Sequence, residues 1–285
     1  MLRQISFELY KMARRPRSYI GFAAFALITF CTMLGLKYGH FSDMSGYQAS
    51  QQGFGMVGDP SNGAFLSWMV VASPLSVPIL TMFMPFFVCL VFGEVVAGES
   101  TDGTLRTVLA RPIRRSSVFT AKVAASLIYA LALVYSLGIA GYVFGTAAFG
   151  RGGLLATGTF KSPMLVWFSE GAGLARLALG YGLTFVAVVA VGMIAFLIST
   201  WLNNALGAIG GAVGLLFTML IIGEIPYFKP IADYLFSTHL FVGQKAFLDP
   251  IPWREIGGSL ACLGTYIIVC FTASLLIFQR KDILT

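Results

Sequence analysis

The sequence predicts an all-α integral membrane protein with six transmembrane helices. Apolar residues make up 57% of its 285 residues and charged residues only 11%, whereas a typical soluble domain is about 25% charged. Five long stretches carry no charged residue, and most basic residues gather in a few short segments between or beside them. A soluble fold would lack the polar surface needed to cover so large an apolar core.

The uncharged stretches give the number of spans. They are residues 18–36, 60–93, 123–150, 177–223 and 256–279. Because a helix rises about 1.5 Å per residue and the hydrocarbon core is about 30 Å thick, roughly 20 apolar residues cross it once. Four stretches therefore predict one span each, and the 47-residue stretch 177–223 must fold back on itself. Its polar break from Thr200 to Asn204 suits a tight turn at the headgroups.

Basic residues are distributed unevenly along the chain. Of the 19 Lys and Arg residues, 12 fall in residues 1–17, 94–122 and 280–281. Cytoplasmic loops of membrane proteins are enriched in Lys and Arg, so we expect both termini and the 94–122 segment to face the cytoplasm. The net charge of +7 then reflects topology, and no nucleic-acid partner is expected.

Residues 1–17 are expected to form an amphipathic helix that lies at the inner surface of the membrane. At helical spacing, one face gathers apolar side chains and the opposite face gathers polar and basic ones. Phe7 breaks the pattern, because it falls among the cations. The apolar face comprises Leu2, Ile5, Leu9, Met12 and Ala13.

The segments expected to face outward differ in character. Residues 37–72 and 150–172 are rich in glycine or small polar residues and predict loops. Residues 224–255 are too apolar for a free loop, and prolines at 226 and 230 interrupt them too often for a span. They predict a re-entrant or interfacial pair of short helices before the sixth span. No internal repeat divides the chain, so residues 1–285 are expected to form a single domain.

Sequence motifs for catalysis are missing from the chain. It has no phosphate-binding G-x-x-x-x-G-K-[ST], no H-E-x-x-H and no G-x-S-x-G. No pair of its four cysteines has metal-ligand spacing. No charged residue is expected near the middle of a span, where proton-coupled transporters and intramembrane enzymes place one. The sequence therefore predicts no catalytic residue, no metal site and no enzymatic activity of its own.

The 94–122 segment is a charged patch between two spans, and it predicts a short helix. Thr101 or Asp102 can cap a helix that begins at Gly103, and Pro112 ends it. A capped helix can transmit force to a partner, whereas the alternative is a basic loop that only fixes topology by lying on lipid phosphates. The residues of this segment that we expect to contact a partner are Glu99, Asp102, Gly103, Thr104, Leu105, Arg106, Val108, Leu109, Arg111 and Pro112.

This stretch resembles ABC-2 type transporter permeases. The resemblance rests on Glu99, Gly103-Thr104-Leu105, Leu109, Pro112, Arg115 and Lys122, and it extends to the six-span layout and the basic amphipathic N-terminus. The chain departs from the family at Ser100-Thr101-Asp102, where many members carry further Glu and Arg residues. The resemblance implies the permease subunit of a bacterial ABC exporter in the cytoplasmic (inner) membrane.

The resemblance also implies the partners of this chain. The 94–122 segment would act as a coupling helix, inserted into a groove of a separate cytoplasmic ABC ATPase that is present in two copies. ATP and Mg would bind to that subunit, and this chain would bind no cofactor. Membrane lipids and a second permease copy, in a homodimer, complete the expected partners.

Glycines in the fifth span are candidates for the contact with the second permease copy. Gly207/Gly211 and Gly210/Gly214 are small-x-x-x-small pairs, which let helix backbones approach closely in lipid. Two interpretations stay open at this point, close packing within one chain and the contact surface of a homodimer. Other classes of function also stay open, namely a secondary transporter or channel without an ATPase, and a membrane scaffold that anchors a partner.

Overall fold

The computed structural model describes residues 2–38, 67, 68, 71, 79–104, 114–152, 154–157 and 165–280, which are predominantly helical. The long helices are α2 (Arg17–Tyr38), α3 (Met84–Thr101), α4 (Arg115–Phe149), α5 (Glu170–Trp201), α6 (Ala205–Glu224) and α8 (Trp253–Arg280). Shorter helices are α1 (Leu2–Arg14), α7 (Lys229–Ala232), a π-helical turn at Ile79–Phe83 that leads into α3, and 3-10 helices at Pro226–Phe228 and Phe236–Phe247. Strands β1 (Leu154–Thr157) and β2 (Leu165–Phe168) form an antiparallel hairpin.

Among the described residues, six helices are long and apolar enough to cross a membrane, in agreement with the predicted number. They are Arg17–Gly35, Ile79–Thr101, Arg115–Phe149, Glu170–Trp201, Ala205–Gly223 and Trp253–Arg280. The long uncharged stretch breaks where the sequence predicts, since α5 ends at Trp201 and Asn204 caps α6 by accepting a hydrogen bond from the Leu206 N–H at 3.0 Å. The chain is therefore a multi-pass membrane protein.

Aromatic side chains mark both ends of the spans. Tyr19 and Trp201 are exposed at one end, and Tyr38 and Trp253 are exposed at the other. Trp and Tyr concentrate at the two membrane–water interfaces. Tyr19 and Tyr38 are 19 residues apart in α2, or about 29 Å along a helix, which matches a hydrocarbon core of about 30 Å.

Helix α5 lies at the centre of the bundle. In the most apolar stretch of α5, 72% of the residues are buried inside the protein, whereas the corresponding share is 17% in α6 and in α8. Glycines allow the closest approaches: a Cβ on Gly192 of α5 would lie 2.8 Å from the Phe92 ring of α3, and one on Gly93 of α3 would lie 2.9 Å from Ile209 of α6. Helix α3 is thus packed against both α5 and α6, while α6 and α8 turn most of their surface outward.

The two described flanks of the charged 94–122 segment continue the neighbouring spans as helix. Helix α3 continues to Thr101 and α4 begins at Arg115, because the charged side chains in these turns are paired with one another, as described below. Asp102 is the C-cap residue of α3, and Gly103 has a left-handed φ of +67°, the usual conformation of a helix-ending glycine. Thr104, just after Gly103, is helical, and residues 105–113 lie outside the described residues, so the helix expected to begin at Gly103 stays a prediction.

The end of the spans opposite α1 also contains more regular structure than predicted. Residues 150–172, expected to be a loop, contain the hairpin, in which Leu154 pairs with Phe168 and both are buried. Residues 224–255 contain α7 and the two 3-10 helices, in agreement with the broken helical character predicted for them. Arg176 of α5 holds the longer 3-10 helix by donating to the carbonyl of Ala246 at 3.0 Å.

Helix α1 forms as predicted, but its faces are used differently. Glu8 is buried against the protein, whereas Phe7 and Tyr10 are 55% and 54% exposed. Ser117 of α4 donates a hydrogen bond to Gln4 of α1 at 2.6 Å. The face toward the protein therefore combines polar side chains with half-buried apolar ones, and the outward face carries aromatic rings, because the buried carboxylate of Glu8 has a partner in α4. The half-buried apolar side chains are Ile5, Leu9 and Met12.

Candidate functional site

The end of the spans that carries α1, which we call the charged end, gathers both flanks of the 94–122 segment. Thr101 at the end of α3 donates a hydrogen bond to the carbonyl of Asn203, in the α5–α6 turn, at 3.0 Å. Arg115 at the start of α4 donates to the carbonyl of Gln279, near the end of α8, at 3.1 Å. Every later element at this end therefore contacts one of the two flanks.

Four side chains at the charged end form a closed cycle of ion pairs, which we call the ion-pair ring: Glu8, Lys122, Glu99 and Lys11. The Lys122 Nζ lies 2.7 Å from a Glu99 oxygen and 3.3 Å from a Glu8 oxygen. Lys11 contacts Glu99 and lies 3.6 Å from Glu8. Positive and negative charges alternate, so the ring is neutral. It joins α1 to the end of α3 and to the start of α4.

Three members of the ion-pair ring are buried, and the fourth, Lys11, is partly exposed. Lys122 is 0% exposed and Glu99 is 2% exposed. The Lys122 ammonium also donates to the carbonyl of Val95 at 3.3 Å, so oxygen atoms from α1 and α3 replace its water shell. Buried ions are tolerated only when such partners compensate for lost solvation. Loss of any one ring member would leave an uncompensated charge in the interior.

A second network of ion pairs runs beside the ring. Arg17 pairs with Glu94, and Arg15 lies 3.8 Å from Glu94 and 4.0 Å from Asp102. The cations come from the connection between α1 and α2, and the acids come from α3 and its C-cap. These pairs reach solvent, so each contributes little free energy, but they fix the α1–α2 connection next to the coupling segment.

A small cleft of ≈ 30 Å³ opens beside the two networks, lined by charged side chains and by apolar ones such as Leu90 and Val91. Within the described residues, the Oε2 atom of Glu99 is buried without a hydrogen-bond partner. Because one water needs roughly 10–15 Å³ of such space, the cleft has room for about two water molecules beside the buried networks.

The charges of the charged end hold three helices relative to one another. Among the described residues, no group of three or more His, Cys, Asp or Glu side chains could hold a metal ion. Both acids of the ion-pair ring are held by lysines, so neither is placed as a base beside a nucleophile. What the charges do is fix α1, α3 and α4 relative to one another.

The predicted coupling residues fall into two groups. Glu99 lies in α3 and points into the ion-pair ring, so it holds the segment in place instead of presenting a charge outward. Asp102, Gly103 and Thr104 follow α3 and are exposed. The remaining predicted coupling residues lie outside the described residues: Leu105, Arg106, Val108, Leu109, Arg111 and Pro112.

Several residues of the charged end were not predicted as site residues. Charge counting assigns Glu8, Lys11, Arg15, Arg17 and Glu94 to topology alone. The available clue was the placement of acids where they are costly: Glu8 interrupts a basic helix, and Glu94 ends an uncharged stretch. Acids at such positions need partners, and the partners come from elements distant in the sequence.

The end of α3 is also tied to α5 and to the α5–α6 turn. The Ser199 hydroxyl of α5 donates to the carbonyl of Gly93 at 2.6 Å and accepts from the Ala97 N–H at 2.9 Å. Ser100 donates to the side-chain oxygen of Asn203 at 3.2 Å. The last two turns of α3 are therefore held on several sides.

The four glycines predicted to allow close packing lie on an outward face of α6. Gly207, Gly210, Gly211 and Gly214 are all exposed in the single chain. A Cβ on Gly211 would lie 3.5 Å from Ile198, an ordinary contact, and a Cβ on Gly210 or Gly214 would meet no atom of the described residues within 4 Å. Close packing within this part of the chain therefore does not account for Gly210 and Gly214.

Comparison with known proteins shows a family. Residues 56–284 match the family described as "Protein of unknown function (DUF2705)", which is well over half of the chain. This chain belongs to the DUF2705 family. The DUF2705 match includes α3 to α8 and both flanks of the coupling segment, whereas α1 and α2 precede it. The protein is also similar to the uncharacterized protein YhcI of Bacillus subtilis (strain 168), with 26% identity over 233 residues that cover 79% of this chain and 71% of YhcI.

Proposed function

We propose that this DUF2705 protein is the permease subunit of an ATP-driven ABC exporter, and that it forms the substrate pathway as a homodimer driven by a separate cytoplasmic ATPase. The observation that carries the proposal is the fixation of both flanks of residues 105–113 by one buried ion pair. Glu99 precedes this segment and Lys122 follows it, with 2.7 Å between their charged groups. The segment itself supplies the pattern that resembles ABC-2 permeases.

A segment that receives force from a partner needs a rigid mount. Thr101 and Ser100 bond to Asn203, so a displacement of the α3 end acts directly on the start of α6. Gly93 lets α3 contact α6 a second time, about two turns further along. This geometry supports transmission of a push on the coupling segment through α3 to α6.

The proposal places the charged end in the cytoplasm, where the positive-inside rule puts basic segments. The outward face of α1 suits the headgroup level of the inner leaflet. Phe7 and Tyr10 are exposed there, and the Arg14 guanidinium lies over the Tyr10 ring, 4.8 Å from its centroid. Aromatic rings flanked by cations are typical of interfacial helices.

If the charged end faces the cytoplasm, the 3-10 helix Phe236–Phe247 lies at the outer surface of the membrane. Tyr181 precedes Trp201 by 20 residues in α5, or about 30 Å, so Tyr181 lies near the outer boundary if Trp201 lies at the inner one. The neighbouring Gly180 approaches the Phe247 ring so closely that a Cβ there would lie 2.8 Å from it. This supports a shallow re-entrant position for the segment before the sixth span.

The outward glycines of α6 support a dimer. Helix association in lipid depends on close backbone approach rather than on apolar burial. Because Gly210 and Gly214 face away from the described part of their own chain, we assign their face to the second permease copy. A homodimer would then place two coupling segments opposite two ATPase subunits.

The decisive experiment is co-purification of the tagged permease with a cytoplasmic ABC ATPase from the cells that produce it, followed by ATP-driven transport in proteoliposomes. We expect the wild-type protein to retain the ATPase. The double variant Leu105→Ala/Leu109→Ala should lose most of it, since truncating a buried interface anchor commonly costs about 2 kcal/mol or more. A weaker, salt-dependent loss is expected for Arg106→Glu, because a rim charge acts mainly on association.

A matched control removes two leucines from outward faces of the spans. Leu131 and Leu276 are both exposed in the single chain, so Leu131→Ala/Leu276→Ala should leave ATPase binding unchanged. Normal ATPase binding and transport in the Leu105/Leu109 variant would leave the 94–122 segment as a topology signal and contradict the proposal.

A secondary transporter is the second candidate, and one observation favours it. Glu99 and Lys122 are buried ionisable residues inside the span helices, and such residues often mark proton or ion pathways. Transport driven by a proton gradient without ATP, and abolished by Glu99→Gln, would select this candidate over the first.

A further inference from the structure

We propose that α1 is a positioning element for the coupling segment, and that Glu8 and Lys11 set the position of this segment through Lys122 and Glu99. The inference rests on the proposed function for its consequence in transport. The positioning itself can be measured in the permease alone.

The attachment of α1 to the rest of the protein depends mainly on polar contacts. Gln4 accepts a hydrogen bond from Ser117, and Glu8 and Lys11 enter the ion-pair ring. Met12 is the one α1 side chain, among the described residues, that packs partly buried against the main apolar core. Beside the half-buried Ile5 and Leu9, polar and charged side chains therefore supply the specific contacts that hold α1 in place.

The ion-pair ring reaches both flanks of the coupling segment from one helix. Glu99 is five residues before Thr104, the last described residue ahead of the segment, and Lys122 is in the second turn of α4 beyond it. Lys11 contacts the first of these and Glu8 contacts the second. A displacement of α1 must therefore shift or release at least one flank.

Neutralising either Glu8 or Lys11 should make the coupling segment more mobile, although neither residue belongs to it. We place a nitroxide label at Thr104→Cys, in a background without the four cysteines of the chain, and measure its mobility by electron paramagnetic resonance in lipid nanodiscs. Glu8→Gln and Lys11→Met should each raise the mobility of the label. Lys11→Arg keeps the charge and should keep the label restrained, and so should Arg14→Met, which removes a cation from the exposed side of the same helix.

In the complex with the ATPase, the same two variants should separate binding from turnover. The affinity for the ATPase should stay unchanged, while transport-coupled ATP turnover should fall about fivefold or more, the scale of a typical coupling energy. Lys11→Arg should recover turnover. A simple loss of folded protein would lower both quantities together and would not be recovered by restoring the charge.

Unchanged label mobility in both Glu8→Gln and Lys11→Met would overturn the inference. Loss of ATPase affinity with unchanged mobility would overturn it as well, because α1 would then be a direct docking surface. Failure of the proposed function looks different: no ATPase would bind the wild-type protein, and the label at residue 104 would still report whether α1 positions the segment.

Discussion

Replacing Lys122 with methionine measures what the ion-pair ring contributes to stability. Methionine is close to lysine in length, so packing changes little while Glu8 and Glu99 lose a cation. Lys122 is fully buried, so water does not replace the lost pairs. Removing one partner of a buried ion pair typically costs about 3–5 kcal/mol, and we expect the free energy of unfolding to fall by that amount.

The ring supplies an internal control for this substitution. Adding Glu8→Gln to Lys122→Met removes one charge of each sign and leaves Glu99 paired with Lys11. The double variant should therefore be more stable than the sum of the two single effects predicts. Contacting residues usually show coupling energies of about 0.5–3 kcal/mol, and we expect a value in the upper half of that range.

A surface pair at the opposite end gives the external control. Lys245 lies 3.1 Å from Glu255, but their side chains are 26% and 66% exposed. Lys245→Met should cost only about 0–1 kcal/mol, as exposed pairs do. Unfolding is followed by far-UV circular dichroism during SDS titration in mixed micelles. If Lys122→Met proves no more costly than Lys245→Met, or if its effect is additive with Glu8→Gln, the ring does not act as a unit.

Two further substitutions test the glycines. Gly211→Leu should lower the yield of crosslinked dimer more than Gly264→Leu. A Cβ at Gly211 makes only an ordinary contact with Ile198 at 3.5 Å and one at Gly264 meets no described atom within 4 Å, but only Gly211 lies on the α6 face assigned to the second copy. Equal yields would remove that face from the dimer contact. Gly103→Ala should reduce the free energy of unfolding by about 1–2 kcal/mol, because a left-handed backbone strains an L-residue. The control is Gly35→Ala in α2, where a Cβ would meet no described atom within 4 Å. This control should be neutral or slightly stabilising in the same SDS titration.

Length and hydropathy were sufficient to predict the spans. The membrane requires each crossing segment to satisfy its own backbone hydrogen bonds, so an uncharged stretch of the right length has few alternatives to a helix. The turn between α5 and α6 was predictable for a similar reason. Asn203 and Asn204 interrupt an apolar stretch, and the Asn204 side chain caps the next helix.

The partners within the charged end could not be predicted from local pattern. Glu8 and Lys122 are 114 residues apart in sequence, and helical spacing in α1 says nothing about which helix its acid will meet. The same limit applies to the faces of α1. Helical spacing places Phe7 among the cations, and Phe7 is exposed in the structure, but the spacing gives no sign that Glu8 turns toward the protein and pairs with Lys122.

Charged side chains hold α1 against the protein because the surrounding medium is lipid. Apolar surface gives little reason for a helix to prefer protein over lipid, because lipid tails are as apolar as leucine. A helix at the headgroup level with only an apolar face would therefore be free to move along the membrane surface. Opposite charges distinguish the two surroundings, since Glu8 is compensated next to Lys122 and has no comparable partner among lipid tails. The alternation of signs around the ring also favours one rotation of α1, because turning the helix by one residue would break the contacts of Glu8 and Lys11 together. Charge pairing thus gives α1 a defined place in a medium where apolar packing alone would not.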